Sequence, residues 1–194
     1  IWIATANVNK PPRGTKAFRV LANITIPMLL KLARVSVKTE GAEKVPEGAR
    51  MLFVCNHQHD LDPVMLLSAF PSAEIGFIGK KDIYKDMPFI AKAMHRLYCL
   101  PIDRENDRAA AKTIIEASRL LKSFKVAYRA EAPIAVCVIN NTRSIPKELF
   151  WRRTEIKLNV LEVIPYENYK DMHTVELGDK IHDMMLSELE KLRA

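Results

Sequence analysis

The spacing of hydrophobic residues beyond residue 41 alternates between two patterns. Short apolar runs bounded by turn residues are typical of buried strands, whereas apolar residues at i, i+3, i+4 and i+7 are typical of helices. We therefore predict strands near residues 51–55, 74–79, 98–102, 133–139 and 154–164. We predict helices near residues 63–69, 87–95, 107–121, 124–130 and 173–192. This alternation predicts an α/β fold with a central mixed sheet flanked by helices.

Two of the predicted helices have one continuous apolar face, which we assign to the core. In the helix near 107–121 this face comprises Ala111, Ile114, Ile115, Ser118 and Leu121. In the last helix it comprises Leu177, Ile181, Met185, Leu189 and Leu192. The sequence has no internal repeat and no linker, so we predict one domain over 1–194, with an α/β core over 36–194.

Residues 1–35 form a segment of different character. Apolar residues recur there at helical spacing, at Leu21, Ile24, Met28, Leu29, Leu32 and Val35. Charged residues interrupt the run, which excludes a spanning helix and favours an amphipathic helix lying in a membrane interface. Packing of the same face on the protein's own core is the alternative. Residues 150–153, two aromatics followed by two arginines (Phe150, Trp151, Arg152 and Arg153), are a second candidate for contact with anionic lipid.

The net charge indicates the class of binding partner, and the cysteine content indicates the redox compartment. The net charge of +7 favours anionic partners: phosphates, an acidic membrane surface or nucleic acid. Aromatic residues make up only 7% and no base-stacking pattern is present, so we expect no nucleic-acid partner. The three cysteines, Cys55, Cys99 and Cys137, fall in predicted strands and cannot form a complete disulfide set, which indicates a reducing compartment.

The candidate chemistry lies just after the first predicted strand, in residues 56–62. His57 leaves the strand end, and Asp62 is expected to be the N-cap of the next helix, followed by Pro63. Ligands of α/β sheets bind beyond the carboxyl ends of strands. The spacing allows the Asp62 carboxylate to fold back onto one imidazole nitrogen, which predicts a general base held in one tautomer.

Three other interpretations of this stretch stay open. Asp62 could be a helix cap with no catalytic role. Metal binding is a second possibility, since His57, His59, Asp60 and Asp62 are all potential ligands, although no further ligand cluster stands out in the sequence. The third makes Cys55 a nucleophile activated by His57, which is disfavoured because thiols in buried strands are usually inert.

Further cations follow two other predicted strands. Lys80 and Lys81 come after the strand near 74–79, and Arg104 follows the strand near 98–102. We expect these strands to end at the same sheet edge as His57, where the three cations could bind a phosphate. Solvated loop charge is the alternative.

Three blocks of the sequence, in order along the chain, resemble one known family. Asn56-His57, four residues and Asp62 look like the signature of the glycerophospholipid acyltransferases, the 1-acylglycerol-3-phosphate (lysophosphatidic acid) acyltransferase group. Residues 79–83 and 87–89, ending in the strand and Asp-Arg pair of 100–104, are similar to the family's second block. Residues 132–139 are similar to its fourth block. In order, these blocks cover most of residues 36–165.

The resemblance implies an activity and partners. A fatty acyl group would pass from acyl-CoA or acyl carrier protein to the free hydroxyl of lysophosphatidic acid, giving phosphatidic acid, with no metal and no cofactor beyond the thioester co-substrate. The expected partners are that thioester, the lysophospholipid and an anionic membrane surface. The expected location is the cytoplasmic face of a membrane, as a peripheral or monotopic protein. The implied site comprises His57 as base, Asp62 as its orienting partner, Asn56 in support, and Lys80, Lys81 and Arg104 for phosphate or oxyanion binding.

The sequence departs from the family pattern in three places. The third block, a Pro-Glu-Gly-Thr-Arg loop, is absent where Ser123 runs into Phe124, and we expect that residues are missing there, as at the amino terminus, which begins with Ile1. His59 replaces a usual Ser, and Val136 a frequent Pro.

The same residues are compatible with other functions. Another lysophospholipid, glycerol-3-phosphate or a glycolipid could be the acceptor. A catalytically silent membrane-binding module and a metal-dependent hydrolase built on His57, His59 and Asp62 are the alternatives from other classes.

Overall fold

The computed structural model describes residues 16–46, 51–73, 75–97, 99–103, 105, 133–145 and 151–192. The strands are β1 Val35–Glu40, β2 Leu52–Cys55, β3 Ile78–Lys80, β4 Leu100–Ile102, β5 Ile134–Asn140 and β6 Thr154–Ile164. The α-helices in the described ranges are α1 Lys16–Leu32, α2 Asp62–Ala69, α3 Lys81–Asp86, α4 Pro88–Arg96 and α5 Thr174–Lys191. The helices predicted near 107–121 and 124–130 lie outside the described residues.

The chain forms two compact units. The first unit comprises Ile1–Thr25 and Glu74–Phe124, and the second comprises Ile26–Ala73 and Lys125–Ala194. The boundary between them falls within α1. The single domain over 1–194 stays a prediction.

A four-stranded mixed sheet forms the centre of the second unit, in the order β1-β6-β5-β2. β1 runs parallel to β6 and β2 parallel to β5, whereas β5 and β6 are antiparallel. β5 is buried on both faces, as an inner strand covered by helices should be. The mixed central sheet predicted from the sequence is confirmed.

Helix α5 covers one face of this sheet. Its Leu177, Ile181 and Met185 pack with alternate residues of β5, and Leu189 and Leu192 are partly buried against the same cluster. Burial of each large aliphatic side chain contributes about 1.5–3 kcal/mol. The core face predicted for this helix is therefore confirmed.

The strand directions in the second unit bring several strand ends to one edge of the sheet. Cys55 at the end of β2 pairs with Cys137, and β5 continues to Asn140. Because β6 is antiparallel to β5, the amino end of β6 lies at the edge where β5 ends, and β1 begins there too, since Val35 pairs with Thr154. The residues after β2 and those before β1 and β6 therefore belong to the same sheet edge.

The first unit contains a separate two-stranded parallel sheet, in which Ile78 pairs with Leu100 and Lys80 with Ile102. The expectation that these strands join the sheet that carries His57 is therefore wrong. They are also shorter than the predicted 74–79 and 98–102. Helix α3, which begins directly after β3 at Lys81, was not predicted.

Within the amino-terminal segment, α1 (Lys16–Leu32) ends earlier than the apolar stripe suggests. Within the stripe, Leu21, Ile24, Met28, Leu29 and Leu32 are exposed on α1, so packing of this face on the protein's own core is wrong for these residues. Val35 is instead the buried first residue of β1. Among the described helices, none combines the length and hydrophobicity needed to cross a membrane.

Candidate active site

The site begins where β2 ends, with an asparagine that extends the pairing of β2 with β5. The Asn56 side chain accepts a hydrogen bond from the Ile139 backbone N–H (2.7 Å) and donates one to the Ile139 carbonyl (2.9 Å). An amide side chain can satisfy both backbone groups of one residue in this way. Asn56 therefore continues the β2–β5 hydrogen bonding by one residue, and it anchors the start of the loop that carries His57.

Asp62 organises the turn between β2 and α2. Its Oδ2 accepts hydrogen bonds from the backbone N–H groups of Gln58 (2.6 Å) and His59 (2.8 Å). Its other oxygen, Oδ1, is buried and has no hydrogen-bond partner in the described part of the chain. The predicted N-cap assignment is wrong by one residue: Leu61 is the N-cap and Asp62 begins the helix. The carboxylate caps the preceding turn because it points back along the chain.

His57 contacts the same carboxylate oxygen. Its Nδ1 lies 2.7 Å from Asp62 Oδ2, so the contact predicted from the spacing is present. Since Oδ2 already accepts from two backbone donors, Nδ1 must carry the hydrogen of this bond. Nε2 is then the basic nitrogen of the neutral ring.

The two side chains of this pair differ sharply in exposure. Asp62 is 4% exposed, whereas His57 is 54% exposed. Nε2 lies 3.9 Å from Asp60 Oδ1, beyond hydrogen-bond distance. One ring nitrogen is therefore held by a buried carboxylate, while the ring itself is open to solvent, and these are the two features that a general base requires.

Two contacts that the sequence did not indicate support this turn. Arg143, which follows β5, donates from Nε to the Gln58 carbonyl at 3.3 Å. His59 Nδ1 accepts from the Leu61 N–H at 3.3 Å, a local bond of the kind a serine hydroxyl can also make. Neither contact has a signal in the sequence, because Arg143 is 85 residues from its partner and the role of His59 depends on loop geometry.

Cys55 is poorly suited to act as a nucleophile. Burial, and the neighbouring Cys137 and Asp62, raise the pKa of its thiol. Burial also raises the pKa of Cys137 to about 12 and that of Cys99 to about 11. All three cysteines are free. The alternative of a Cys55 nucleophile therefore loses its chemical basis, since the thiolate is the reactive form.

The possible metal ligands of this stretch are not grouped around one point. Within the described ranges, no three His, Cys, Asp or Glu side chains are placed to hold a metal ion together. His59 Nδ1 and Asp62 Oδ2 are instead used in the turn itself.

The other predicted site residues belong to the first unit. Lys80 ends β3, and Lys81 begins α3 and forms an ion pair with Asp103 (3.0 Å). The hydrogen bond from Lys81 holds the pKa of the Asp103 carboxyl below its ordinary value. Arg104 lies outside the described residues. The structure therefore groups Asn56, His57 and Asp62 into one site, and the part of the two lysines in it stays a prediction.

Comparison with known proteins connects this geometry to a family. A family model described as Acyltransferase matches residues 36–138, which contain the whole stretch from β2 to the end of the turn. A protein of Mycoplasma pneumoniae named as a 1-acyl-sn-glycerol-3-phosphate acyltransferase is 31% identical over 120 residues, covering 59% of this chain and 42% of its own length. A similarly named protein of Caenorhabditis elegans, acl-2, is 27% identical over 186 residues, covering 81% and 65%.

One solved structure resembles the fold closely. It is the 1-acyl-sn-glycerophosphate (LPA) acyltransferase PlsC from Thermotoga maritima, with a TM-score of 0.66 and 20% identity, covering 92% of this chain and 79% of that one. At this identity the likeness concerns the fold. This chain spans 42–65% of the length of the curated relatives named above. Because the family model covers more than half of the sequence, the chain belongs to the acyltransferase family.

Proposed function

We propose that the protein transfers a fatty acyl group from an acyl thioester to the free hydroxyl of lysophosphatidic acid, giving phosphatidic acid. The observation that carries this proposal is the 2.7 Å contact between His57 Nδ1 and the buried Asp62 carboxylate, combined with the exposure of the His57 ring. The names of the relatives support the reaction and the acceptor.

The proposed reaction uses His57 as a general base. Nε2 removes the proton of the acceptor hydroxyl as its oxygen attacks the thioester carbonyl, and an imidazolium forms. The tetrahedral intermediate then collapses, the carbon–sulfur bond breaks, and the leaving thiolate takes the proton from the imidazolium at Nε2, which restores the neutral ring. No acyl-enzyme is required.

Asp62 is the proposed orienting partner. Its carboxylate keeps the proton of the neutral ring on Nδ1 and stabilises the imidazolium that forms during the reaction. The two backbone donors from Gln58 and His59 hold the carboxylate in place, so the ring does not have to be oriented when substrate arrives.

Lys80, Lys81 and Arg104 are the proposed phosphate and oxyanion ligands, on the basis of their match to the family's second block. A cation near the tetrahedral intermediate lowers the barrier because negative charge develops on its oxygen. Lys81 would have to release or share Asp103 to bind a second anion, so Lys80 is the stronger candidate of the two lysines.

We also propose that the protein works at a membrane surface, as a peripheral or monotopic protein. The support is the row of exposed apolar residues on α1, with Lys31 in its last turn. We place it on the cytoplasmic side because all three cysteines are free.

The test is thiol release from a long-chain acyl-CoA, measured with and without lysophosphatidic acid. We expect release that depends on the acceptor, is lost in His57→Ala and is unaffected by a chelator. His57 is exposed, so the variant should keep its melting temperature, which can be checked in parallel. Activity retained in His57→Ala would contradict the base assignment, and sensitivity to chelator would favour the metal-dependent hydrolase.

A parallel assay with acyl carrier protein thioester, and with glycerol-3-phosphate or other lysophospholipids, identifies the donor and acceptor. Vesicle binding with no acyl transfer to any of these acceptors would instead favour the silent membrane module.

A further inference from the structure

A groove of about 730 Å³ lies in the second unit, where α1, β1, the end of α2 and the start of β6 meet. We call it the junction groove. Leu30 and Lys31 of α1, Arg34, the first residues of β1, Ser68 of α2 and Arg153 line it. It belongs to the sheet edge at which β1 and β6 begin.

The junction groove is strongly cationic. Lys31, Arg34 and Arg153 all line it, and none of the described lining residues is Asp or Glu. In the described part of the chain, none of these three side chains has a carboxylate within ion-pair distance. Unpaired cations around one groove attract an anion, and a guanidinium can bind phosphate with two parallel hydrogen bonds.

Arg34 occupies a position at which glycine would be easier to accommodate. Its φ is 58°, in the left-handed region, two residues after α1 ends at Leu32. Both of its backbone polar groups are hydrogen-bonded. The Arg34 N–H donates to the Lys31 carbonyl (3.1 Å), and the Arg34 carbonyl accepts from the Thr154 N–H (3.0 Å). A long charged residue kept in this unfavourable conformation suggests that its side chain is needed there.

Exposed apolar residues neighbour the groove-lining cations in the sequence. Met28, Leu29 and Leu32, near the end of α1, are exposed, and Trp151, two residues before Arg153, is 86% exposed. Exposed leucine, methionine and tryptophan beside cations are the composition of a surface that enters the headgroup region of a bilayer. This combination favours a lipid over a soluble anion as the occupant.

We propose that the junction groove binds the phosphate of an anionic phospholipid in a membrane surface, with Lys31, Arg34 and Arg153 as its ligands. This inference rests on the proposed membrane association and does not depend on the catalytic chemistry. Helix α2 connects the groove to the active site, because Ser68 is six residues from Asp62, about 9 Å along the helix axis. A headgroup in the groove would therefore hold the membrane surface near His57.

The experiment compares flotation with phosphatidylcholine vesicles and with mixed phosphatidylcholine–phosphatidylglycerol vesicles. The groove variant carries Lys31→Gln, Arg34→Asn and Arg153→Gln; asparagine is chosen at 34 because it tolerates a positive φ. The matched control carries Lys38→Gln, Lys157→Gln and Lys180→Gln, which removes three exposed lysines outside the groove and the same charge. We expect the groove variant to lose about fivefold in partitioning to mixed vesicles for each cation removed. The control should lose much less.

Several results would overturn the proposal, and they can be distinguished from failure of the membrane association. Equal losses in the two variants would mean that only net charge matters. Equal binding of the wild type to both vesicle types would exclude a headgroup site while leaving insertion of α1 intact. Absence of binding to either would exclude both. Release by sodium phosphate but not by sodium chloride of equal ionic strength would identify a free-phosphate site.

A single substitution at Arg34 controls for misfolding of the triple groove variant. Arg34→Gly removes the side chain and suits the left-handed backbone, so its melting temperature should not fall. We expect it to bind mixed vesicles about fivefold more weakly than the wild type. Unchanged binding in this well-folded variant would exclude Arg34 as a ligand.

Discussion

Two carboxylates of this protein each contact a basic side chain at similar distance, yet their settings differ. Asp62 Oδ2 lies 2.7 Å from His57 Nδ1 and also accepts two backbone N–H groups, and its side chain is 4% exposed. Asp103 Oδ2 lies 3.0 Å from Lys81 Nζ, with the two side chains 24% and 66% exposed. Distance alone would rank these pairs together, whereas burial and the number of donors separate them.

The difference shows what each pair can do. An exposed ion pair is screened by water and leaves both side chains free to exchange partners. The buried carboxylate has three donors converging on one oxygen, so it holds a ring in one orientation. These contacts support the positioning role proposed for Asp62, and they indicate no structural role of comparable size for Asp103.

Substitution of Asp62 should have the largest effect. Asp62→Asn removes the charge that keeps the proton on Nδ1, so we expect kcat to fall roughly 10²–10⁴-fold. Asp62→Ala should also lower the free energy of unfolding, by about 1–3 kcal/mol for each backbone N–H left unpaired in a buried site. Steady-state kinetics and urea denaturation measure the two effects. Full activity in Asp62→Asn would remove the orienting role and leave Asp62 as a structural residue of the turn.

Asn56→Ala should have the next largest effect, because it removes both hydrogen bonds to Ile139. At about 0.5–1.5 kcal/mol for each bond, the free energy of unfolding should fall by roughly 2 kcal/mol. Activity should fall as well, since the loop that carries His57 loses its anchor. Asn168→Ala, at an exposed position in a short helical turn, is the matched control and should change stability by less than about 0.5 kcal/mol. Equal destabilisation by both substitutions would exclude a special role for Asn56.

Asp103→Asn should change stability very little. The hydrogen bond from Lys81 lowers the pKa of Asp103, so the pair stabilises the folded state above the ordinary carboxyl pKa. This contribution is lost as pH falls through the lowered folded-state pKa. Melting curves of wild type and variant should therefore lie close together at neutral pH and converge in acid. A large destabilisation at neutral pH would show that this pair resembles the buried one after all.

Cys55→Ala should have the smallest effect on activity. The thiol lies beside Asn56 but its pKa is raised by burial, so it is protonated at neutral pH. We expect the variant to keep acyl transfer and the native protein to resist thiol reagents until it unfolds. Loss of activity in a variant whose melting temperature is unchanged would contradict this expectation and support Cys55 as the nucleophile.

The features that could be predicted from the sequence are those that depend on residues close together along the chain. The contact between His57 and Asp62 could be predicted because it is made within one turn, where spacing limits the geometry. The strand at 154–164 and the face of α5 were predictable because long periodic patterns average out local ambiguity.

The prediction failed where a strand pattern was short, or where the bonding partner lay far away in the sequence. β1 has a period-two pattern, Val35, Val37 and Thr39, that could have identified it, but Val35 also fits the helical stripe of α1. The pairing of β3 with β4 outside the central sheet depends on tertiary contacts. So do the Asn56–Ile139 hydrogen bonds, which join residues 83 positions apart.

The most direct test of the catalytic assignment is the tautomer of His57 itself, read from ¹⁵N NMR shifts of the imidazole at a pH where the ring is neutral. We expect a hydrogen on Nδ1 and an unprotonated Nε2 in the wild type, with this preference lost in Asp62→Asn. A hydrogen on Nε2 in the wild type would contradict the assignment, because the nitrogen that faces the substrate could then not accept its proton.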